Sequence, residues 1–288
     1  MTDRDRYIPG VPCWADTTHP DPGAAAAFYG ELFGWECEDQ MPAGESGHYI
    51  VGRIDGRDVA AIGSVPPGAP DVATWNTYVW VDSADETAAK AKAAGATIIS
   101  EPFDVFDAGR MAMFADPEGA PIAVWQPGRH RGSLAVNEPG AVNFNDLHTR
   151  DLDRARAFYG AVFGWEVLEL GPGMGMWALP EYGDFLEGLN PGMRENMAAM
   201  GAPAGFETVV AAIAPIDPGD TDTPAHWGIT FAVDDADATA ARAKELGGKV
   251  VSEPRDMPWV RTTTIEDPQG ATFVASQFVP ENKDLGAE

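Results

Sequence analysis

The chain has 288 residues, 44% of them hydrophobic and 22% charged, an ordinary globular composition for two domains of about 100–200 residues each. Lys and Arg number 19 against 45 Asp and Glu, so the formal net charge is −26, a field that repels phosphate backbones and anionic lipid head groups and excludes nucleic acid and membrane surfaces as expected partners. Two cysteines, Cys13 and Cys37, build neither a disulfide framework nor a Cys-based metal site, and the charged N-terminus with no apolar stretch behind it predicts no signal peptide and a cytoplasmic protein.

In chain order, Cys13 to Thr18 reads as a short strand. Asp21-Pro22-Gly23 then starts a helix over about Ala24 to Phe33, with Phe28 and Leu32 on one face and Gly34 placed to cap its end. Strands follow at Trp35–Glu38, Tyr49–Ile54 and Val59–Ser64, the last two joined by Asp55-Gly56, a hairpin signal. The pattern then restarts. Trp75 to Val81 alternates as a strand, and Ser83 with Glu86 forms a capping box for a helix ending near Ala94-Gly95. Strands at Thr97–Ser100, Met111–Ala115 and Pro121–Gln126 complete the set, with Asp116-Pro117-Glu118-Gly119 turning between the last two.

The second half repeats the first. Phe28-Tyr29-Gly30 through Phe33-Gly34-Trp35-Glu36 returns at Phe158-Tyr159-Gly160 through Phe163-Gly164-Trp165-Glu166, an offset of 130. Ser100-Glu101-Pro102 returns as Ser252-Glu253-Pro254, offset by 152, and Asp116-Pro117-Glu118-Gly119 as Asp267-Pro268-Gln269-Gly270, offset by 151. Ordered matches at nearly constant spacing identify a duplication, and the growth in offset places an insertion in the second copy at about residues 180–225. Asn190–Ala204 and Pro215–Pro224 read as its loops, and the Gly- and Pro-rich 128–139 reads as a linker. The expected organisation is a domain at 7–127, the linker, and a domain at 140–279, with four βαβββ units in all: an α+β fold.

This element order, with Phe-Tyr-Gly and Phe-Gly-Trp closing the first helix and Asp-Pro-x-Gly before the last strand, resembles the vicinal oxygen chelate superfamily of glyoxalase I, bleomycin-resistance proteins and extradiol dioxygenases. The resemblance covers both copies and implies two tandem domains, each a curved mixed sheet whose concave face is a ligand cup. It implies for the superfamily's metal enzymes His or Gln on the first strand, His on the fifth and Glu on the eighth. Those positions here are Trp14, Asn76 and Ala123 in the first copy, and Phe144, Gly228 and Val274 in the second. None is a usual ligand of a divalent ion, so neither metal nor cofactor is expected.

Strand parity sets the candidate residues. Trp14, Asp16 and Thr18 share a face, as do Phe144, Asp146 and His148, so the acids Asp16 and Asp146 occupy matching places. A carboxylate in an aromatic cup binds a cation or acts as a general base; the alternative is a rim Asp bonded to backbone or Arg. Asn76, Tyr78 and Trp80 share a face on the fifth strand and Trp125 lies on the eighth, so Trp14, Tyr78, Trp80 and Trp125 line one concavity or else fill a core. Arg110 and Arg261 match between copies, as forks for a ligand or as ion-pair partners of Asp16 and Asp146. Met174, Met176 and Trp177 read as a pliable wall of the second cup. A metal held by Asp146, His148 and His226 is conceivable, but strand-end histidines without a ligand role are preferred.

The ligand-binding set is therefore Trp14, Asp16, Asn76, Tyr78, Arg110, Trp125, Phe144 and Trp227. The expected function is metal-free binding of an aromatic or cationic natural product, with a sequestering or resistance role implied by the resemblance. The alternative is a glyoxalase-type lyase or isomerase with Asp146 or His148 as general base and Arg261 as oxyanion partner. The chain is expected as a monomer with pseudo-dimeric domains or as a homodimer.

Overall fold

A computed structural model describes residues 7–171 and 174–285. In the first copy β1 (Pro12–His19) leads into α1 (Pro22–Phe33), followed by β2 (Glu36–Asp39), β3 (Tyr49–Ile54) and β4 (Arg57–Ser64). Then come β5 (Thr74–Trp80), α2 (Ala84–Ala93), β6 (Thr97–Val105), β7 (Gly109–Ala115) and β8 (Pro121–Pro127). The second copy runs β9 (Val142–Thr149), α3 (Leu152–Phe163), β10 (Glu166–Gly171), β11 (Met174–Ala178), α4 (Tyr182–Leu189), α5 (Met193–Met200) and β12 (Val209–Pro215). It ends with β13 (His226–Ala232), α6 (Ala236–Glu245), β14 (Lys249–Met257), β15 (Val260–Glu266) and β16 (Thr272–Phe278). The strands form two eight-stranded mixed sheets of matching order, β2-β3-β4-β1-β5-β8-β7-β6 and β10-β11-β12-β9-β13-β16-β15-β14.

Local chemistry explains the element ends. Asp21 and Asp151 cap α1 and α3 by accepting the backbone N–H groups of Ala24 and Arg154. Gly34 and Gly164 end the same helices in the left-handed region, at φ 74° and 73°. Ser83 accepts the N–H of Glu86 at the start of α2. Asp55 and Gly56 both take positive φ, as a tight hairpin turn requires.

Two sequence expectations change here. The strand expected to end at Ser100 continues to Val105, because the register shifts between Ser100 and Phe103 and lets Pro102 sit in an edge strand without breaking it. The stretch read as loop at Asn190–Ala204 contains the helix α5, and α4 precedes it. The Gly and Pro residues around them mark helix boundaries rather than a continuous loop.

Register also resolves the insertion. Asp16 pairs with Ala61 and Asp146 with Ala212, while Val51 pairs with Ala61 and Met176 with Ala212. From Val51 to Met176 the offset is 125, and from Ala61 to Ala212 it is 151. The 151 − 125 = 26 extra residues therefore lie between β11 and β12, and Val209–Pro215 is a strand of the repeat itself.

By contacts, the chain groups into two units. Of the described residues, one holds those up to Cys13 with those of Thr77–Gly132 and Asn145–Trp227; the other holds those of Trp14–Asn76, Ser133–Phe144 and from Gly228 on. Each unit takes residues from both copies. In the second unit an apolar core gathers Phe28, Tyr29, Trp35, Ile62, Phe231 and Phe273. Ala135, in the stretch expected as a linker, is packed into that core; just beyond it Ala141 joins the core and Trp35 Nε1 donates to the carbonyl of Gly140 at 2.8 Å. Gly140 sits at φ 83°, where an added Cβ would meet Phe33 O at 2.9 Å. In the first unit the rings of Tyr159, Trp165, Trp177 and Trp227 pack together, with centroids of Tyr159 to the three tryptophans at 5.4, 5.4 and 5.6 Å.

Candidate functional site

In the second unit, β1 and β5 place Trp14, Asp16 and Asn76, and β3 adds Tyr49. Asp16 is buried, at 6% exposure, and collects polar partners. Asn76 Nδ2 donates to Asp16 Oδ1 at 2.9 Å and the Tyr49 hydroxyl donates to Asp16 Oδ2 at 3.2 Å. Trp14 Nε1 in turn donates to the Tyr49 oxygen at 2.9 Å. Burial, and then the charge of Asp16, push the Tyr49 hydroxyl well above its ordinary pKa, so it stays protonated and acts as a donor. Buried polar groups arranged this way satisfy one another and hold Asp16 in one orientation. Tyr49 and Asn76 are the half-buried members through which a ligand would meet the cluster.

Tyr49 was missed in sequence. The signal was available in its place on a strand, two residues along from the apolar Val51, since a tyrosine whose ring is packed must find a partner for its hydroxyl.

In the first unit, alternation on β9 leaves Asp146 and His148 half-buried and turns Asn145, Leu147 and Thr149 inward. His226 on β13 stacks on His148, centroids 4.2 Å apart and planes within 9°. Burial first, and the neighbouring His226 second, lower the His148 pKa to about 4, so it is neutral near pH 7. His226 donates through Nδ1 to the carbonyl of Pro224 at 2.8 Å. Among the described residues no group of three or more His, Cys, Asp or Glu is arranged to hold a metal ion.

The other expected residues have the following surroundings. Tyr78 and Trp125 meet edge to face at 6.4 Å, and Trp125 Nε1 donates to the His130 carbonyl at 3.0 Å. Phe144 is half-buried. Trp227 is 5% exposed and its indole N–H donates to the Tyr159 hydroxyl at 2.9 Å, which makes it a core residue rather than a ligand wall. Trp177 is also fully buried, against Tyr159 and Trp165, so it is core rather than a pliable surface; the side chain of Met174 lies outside the described residues. Trp80, expected in the aromatic cup, instead packs on Tyr7 at 5.8 Å. Arg110 forks onto both oxygens of Asp85 and reaches Asp104, and Arg261 repeats this with Asp237 and Asp256. These aspartates, rather than Asp16 and Asp146, are their ion-pair partners. Each guanidinium edge is already taken, which leaves Arg261 poorly placed to receive an oxyanion.

The positions to which the resemblance assigns metal ligands hold the following side chains. Trp14 offers an indole N–H, already given to Tyr49; Asn76 gives its amide N–H to Asp16; Ala123 is a buried methyl. Phe144, Gly228 and Val274 have no side-chain donor atom. These residues do not fit a divalent metal, which requires several imidazole, thiolate or carboxylate ligands.

A second buried cluster went unread in sequence. Asp267 Oδ2 accepts from His19 Nε2 at 2.5 Å and from the Tyr29 hydroxyl at 2.8 Å, while Trp75 Nε1 donates to Tyr29 at 3.2 Å. His19, the last residue of β1, is fully buried. The first unit has the related set Asp116, Tyr159 and Trp227.

Residues 15–124 and 142–274 match the family described as Glyoxalase/Bleomycin resistance protein/Dioxygenase superfamily. A Mycobacterium tuberculosis (strain CDC 1551 / Oshkosh) protein described as "Putative glyoxylase CFP32" is 38% identical over 286 residues, covering 98% of this chain and 100% of its own. "Anthracycline biosynthesis protein DnrV" of Streptomyces peucetius is 35% identical over 283 residues, 93% of each chain. Among solved structures, the Mn(II)-bound glyoxalase from Novosphingobium aromaticivorans aligns with a TM-score of 0.59 at 18% identity, covering 93% of this chain and 82% of its own. The 2,3-dioxygenase LapB from Pseudomonas sp. KL28 aligns with a TM-score of 0.56 at 13% identity, covering 94% and 93%. At those identities the structural likeness is one of fold.

Proposed function

We propose that this chain, which belongs to the glyoxalase/bleomycin resistance protein/dioxygenase superfamily, is a cytoplasmic protein that binds an aromatic natural product without a metal ion. The observation that carries this reading is the Trp14–Tyr49–Asp16–Asn76 cluster. At two strand positions where metal enzymes of the superfamily hold ligands, this chain has an indole and a carboxamide hydrogen-bonded into a carboxylate cluster. Fixed donors and a fixed carboxylate recognise hydroxyl groups, and the half-buried ring of Tyr49 offers a face to a planar body. The likeness to an anthracycline biosynthesis protein supports a polycyclic aromatic ligand.

The test is a titration of the full chain with a hydroxylated anthraquinone, followed by tryptophan fluorescence with and without EDTA. Saturable 1:1 quenching is expected, indifferent to the chelator, and weakened about tenfold in Asp16→Asn by loss of a charged acceptor. No quenching, or quenching abolished by EDTA, sinks the proposal. The second reading is a glyoxalase-type enzyme, favoured by the likeness to a protein described as a glyoxylase. His148 is neutral near pH 7 and can accept a proton there, though as a weak base. Turnover of a methylglyoxal–thiol adduct, lost in His148→Gln, would decide for that reading.

A further inference from the structure

The inserted segment of the second copy builds a feature that the first copy lacks. Within the first unit a surface cavity of about 480 Å³ lies between the chain at Tyr7–Pro9, the end of β5 and the helix α4. This is the volume of a small organic ligand. Its floor is aromatic: Tyr7 and Trp80 are buried, at 6% and 4% exposure. Its wall is one face of α4, where Phe185 and Leu189 stand four residues apart, and Leu189 is 41% exposed. Gly188, between them, leaves open space where a side chain would stand.

Among the described residues that line this cavity, the charged ones are acidic. Asp82 and Asp184 both line it. Asp184 shares its charge with Arg194 at 2.7 Å, whereas Asp82 forms no ion pair among the described residues. Besides Arg194, Arg131 is a nearby cation among the described residues, its guanidinium carbon 5.3 Å from the centre of the Trp80 ring. It engages the indole, so the indole face is not the place for a second cation. That leaves Asp82 as the anchor for a ligand's positive charge, in a chain whose net charge of −26 already draws cations in.

We propose that this cavity is a binding site for an organic cation, a protonated amine carried on a flat apolar body. The ammonium group sits at Asp82, and the apolar body lies over Tyr7 and against Phe185 and Leu189. The site shares no residue with the Asp16 cluster.

The experiment compares two probes of the same shape, 1-naphthylmethylamine and 1-naphthalenemethanol, by calorimetry on the full chain at pH 7. The amine should bind at least about tenfold more tightly than the alcohol, as expected for one charge met by a carboxylate. Asp82→Asn should bring that ratio below about threefold. Gly188→Trp adds a side chain into the cavity at a helical position with open space, so it should weaken the amine at least about tenfold while leaving the circular dichroism spectrum unchanged. Equal binding of amine and alcohol overturns the inference, as does an unchanged amine affinity in Asp82→Asn, which does not depend on how the tryptophan variant folds. Amine binding lost in Asp16→Asn but kept in Gly188→Trp also overturns it, and leaves the anthraquinone site standing. Failure of the anthraquinone titration with amine binding intact does the reverse.

Discussion

The same turn carboxylate is used differently in the two units. In both, the Asp of Asp-Pro-x-Gly accepts from a tyrosine hydroxyl, and that hydroxyl accepts from a tryptophan: Asp267–Tyr29–Trp75 in one, Asp116–Tyr159–Trp227 in the other. The surroundings have diverged. His19 joins Asp267, whereas its counterpart Thr149 donates instead to Glu118. Gln269, the counterpart of Glu118, exchanges two hydrogen bonds with the backbone of Asp21. The second unit thus buries a histidine–carboxylate contact, and the first keeps its extra carboxylate near the N-terminus of α3, where it accepts the N–H of Arg150. A duplicated core can keep its Trp–Tyr–Asp relay and still redistribute charge around it.

The largest test breaks the part that differs. His19→Thr imports the residue of the other copy without its Glu118, and removes a fully buried partner of Asp267. A loss of about 3–5 kcal/mol is expected, from the lost hydrogen bond to a buried carboxylate together with the space the ring leaves behind. Urea denaturation at pH 7 measures it, and a loss below about 1 kcal/mol would mean that the contact contributes little. A smaller test addresses the part that is shared. Tyr29→Phe and Tyr159→Phe each remove a hydroxyl that both donates to a buried carboxylate and accepts from an indole, at a cost of about 1–3 kcal/mol. The two losses should agree closely; a large difference would show that the relay is not equivalent in the two units.

Much of the fold was legible because it rests on local chemistry. The Phe-Tyr-Gly and Asp-Pro-x-Gly repeats, the Asp-Gly hairpin and the glycine caps each act within a few residues, and they located nearly every strand and helix of the repeat. The helix α5 was hidden because Pro191, Gly192 and Gly201 bracket only eight residues and punctuate as a loop does. At the candidate site, strand parity brought out Trp14, Asp16 and Asn76, which the structure joins through hydrogen bonds. Parity does not report what a side chain meets. It placed Trp80 with ligand residues, although Trp80 packs on Tyr7. The His19–Asp267 contact spans 248 residues of chain and belongs to no local pattern, so composition and spacing carried no trace of it.

The comparison sharpens furthest at the strand ends, where its effect near neutral pH is smallest. Thr18 and Thr74 in the first copy correspond to His148 and His226 in the second, by the 130 and 152 offsets. The folded His148 titrates at about 4 against an ordinary 6.5, lowered by burial and then by His226. Asp146 lies two residues before it on the same face of β9, and its charge would favour protonation, but it does not overcome those two effects. As the pH falls below about 6.5 the unfolded chain takes up a proton at this position and the folded chain does not. The unfolded state therefore binds more protons, and stability drops with pH until the folded ring titrates near 4. Asp267 works over a different window. Burial raises its pKa, but His19, backbone N–H groups and Tyr29 override that and hold it below the usual carboxylate range, so its contribution is lost only at still lower pH. His148→Thr should leave stability at pH 7.5 nearly unchanged and flatten its fall between pH 6.5 and 5. Urea midpoints across that range read the slope directly. An unchanged slope would mean that the stacked pair opens to water and carries no pH dependence of its own.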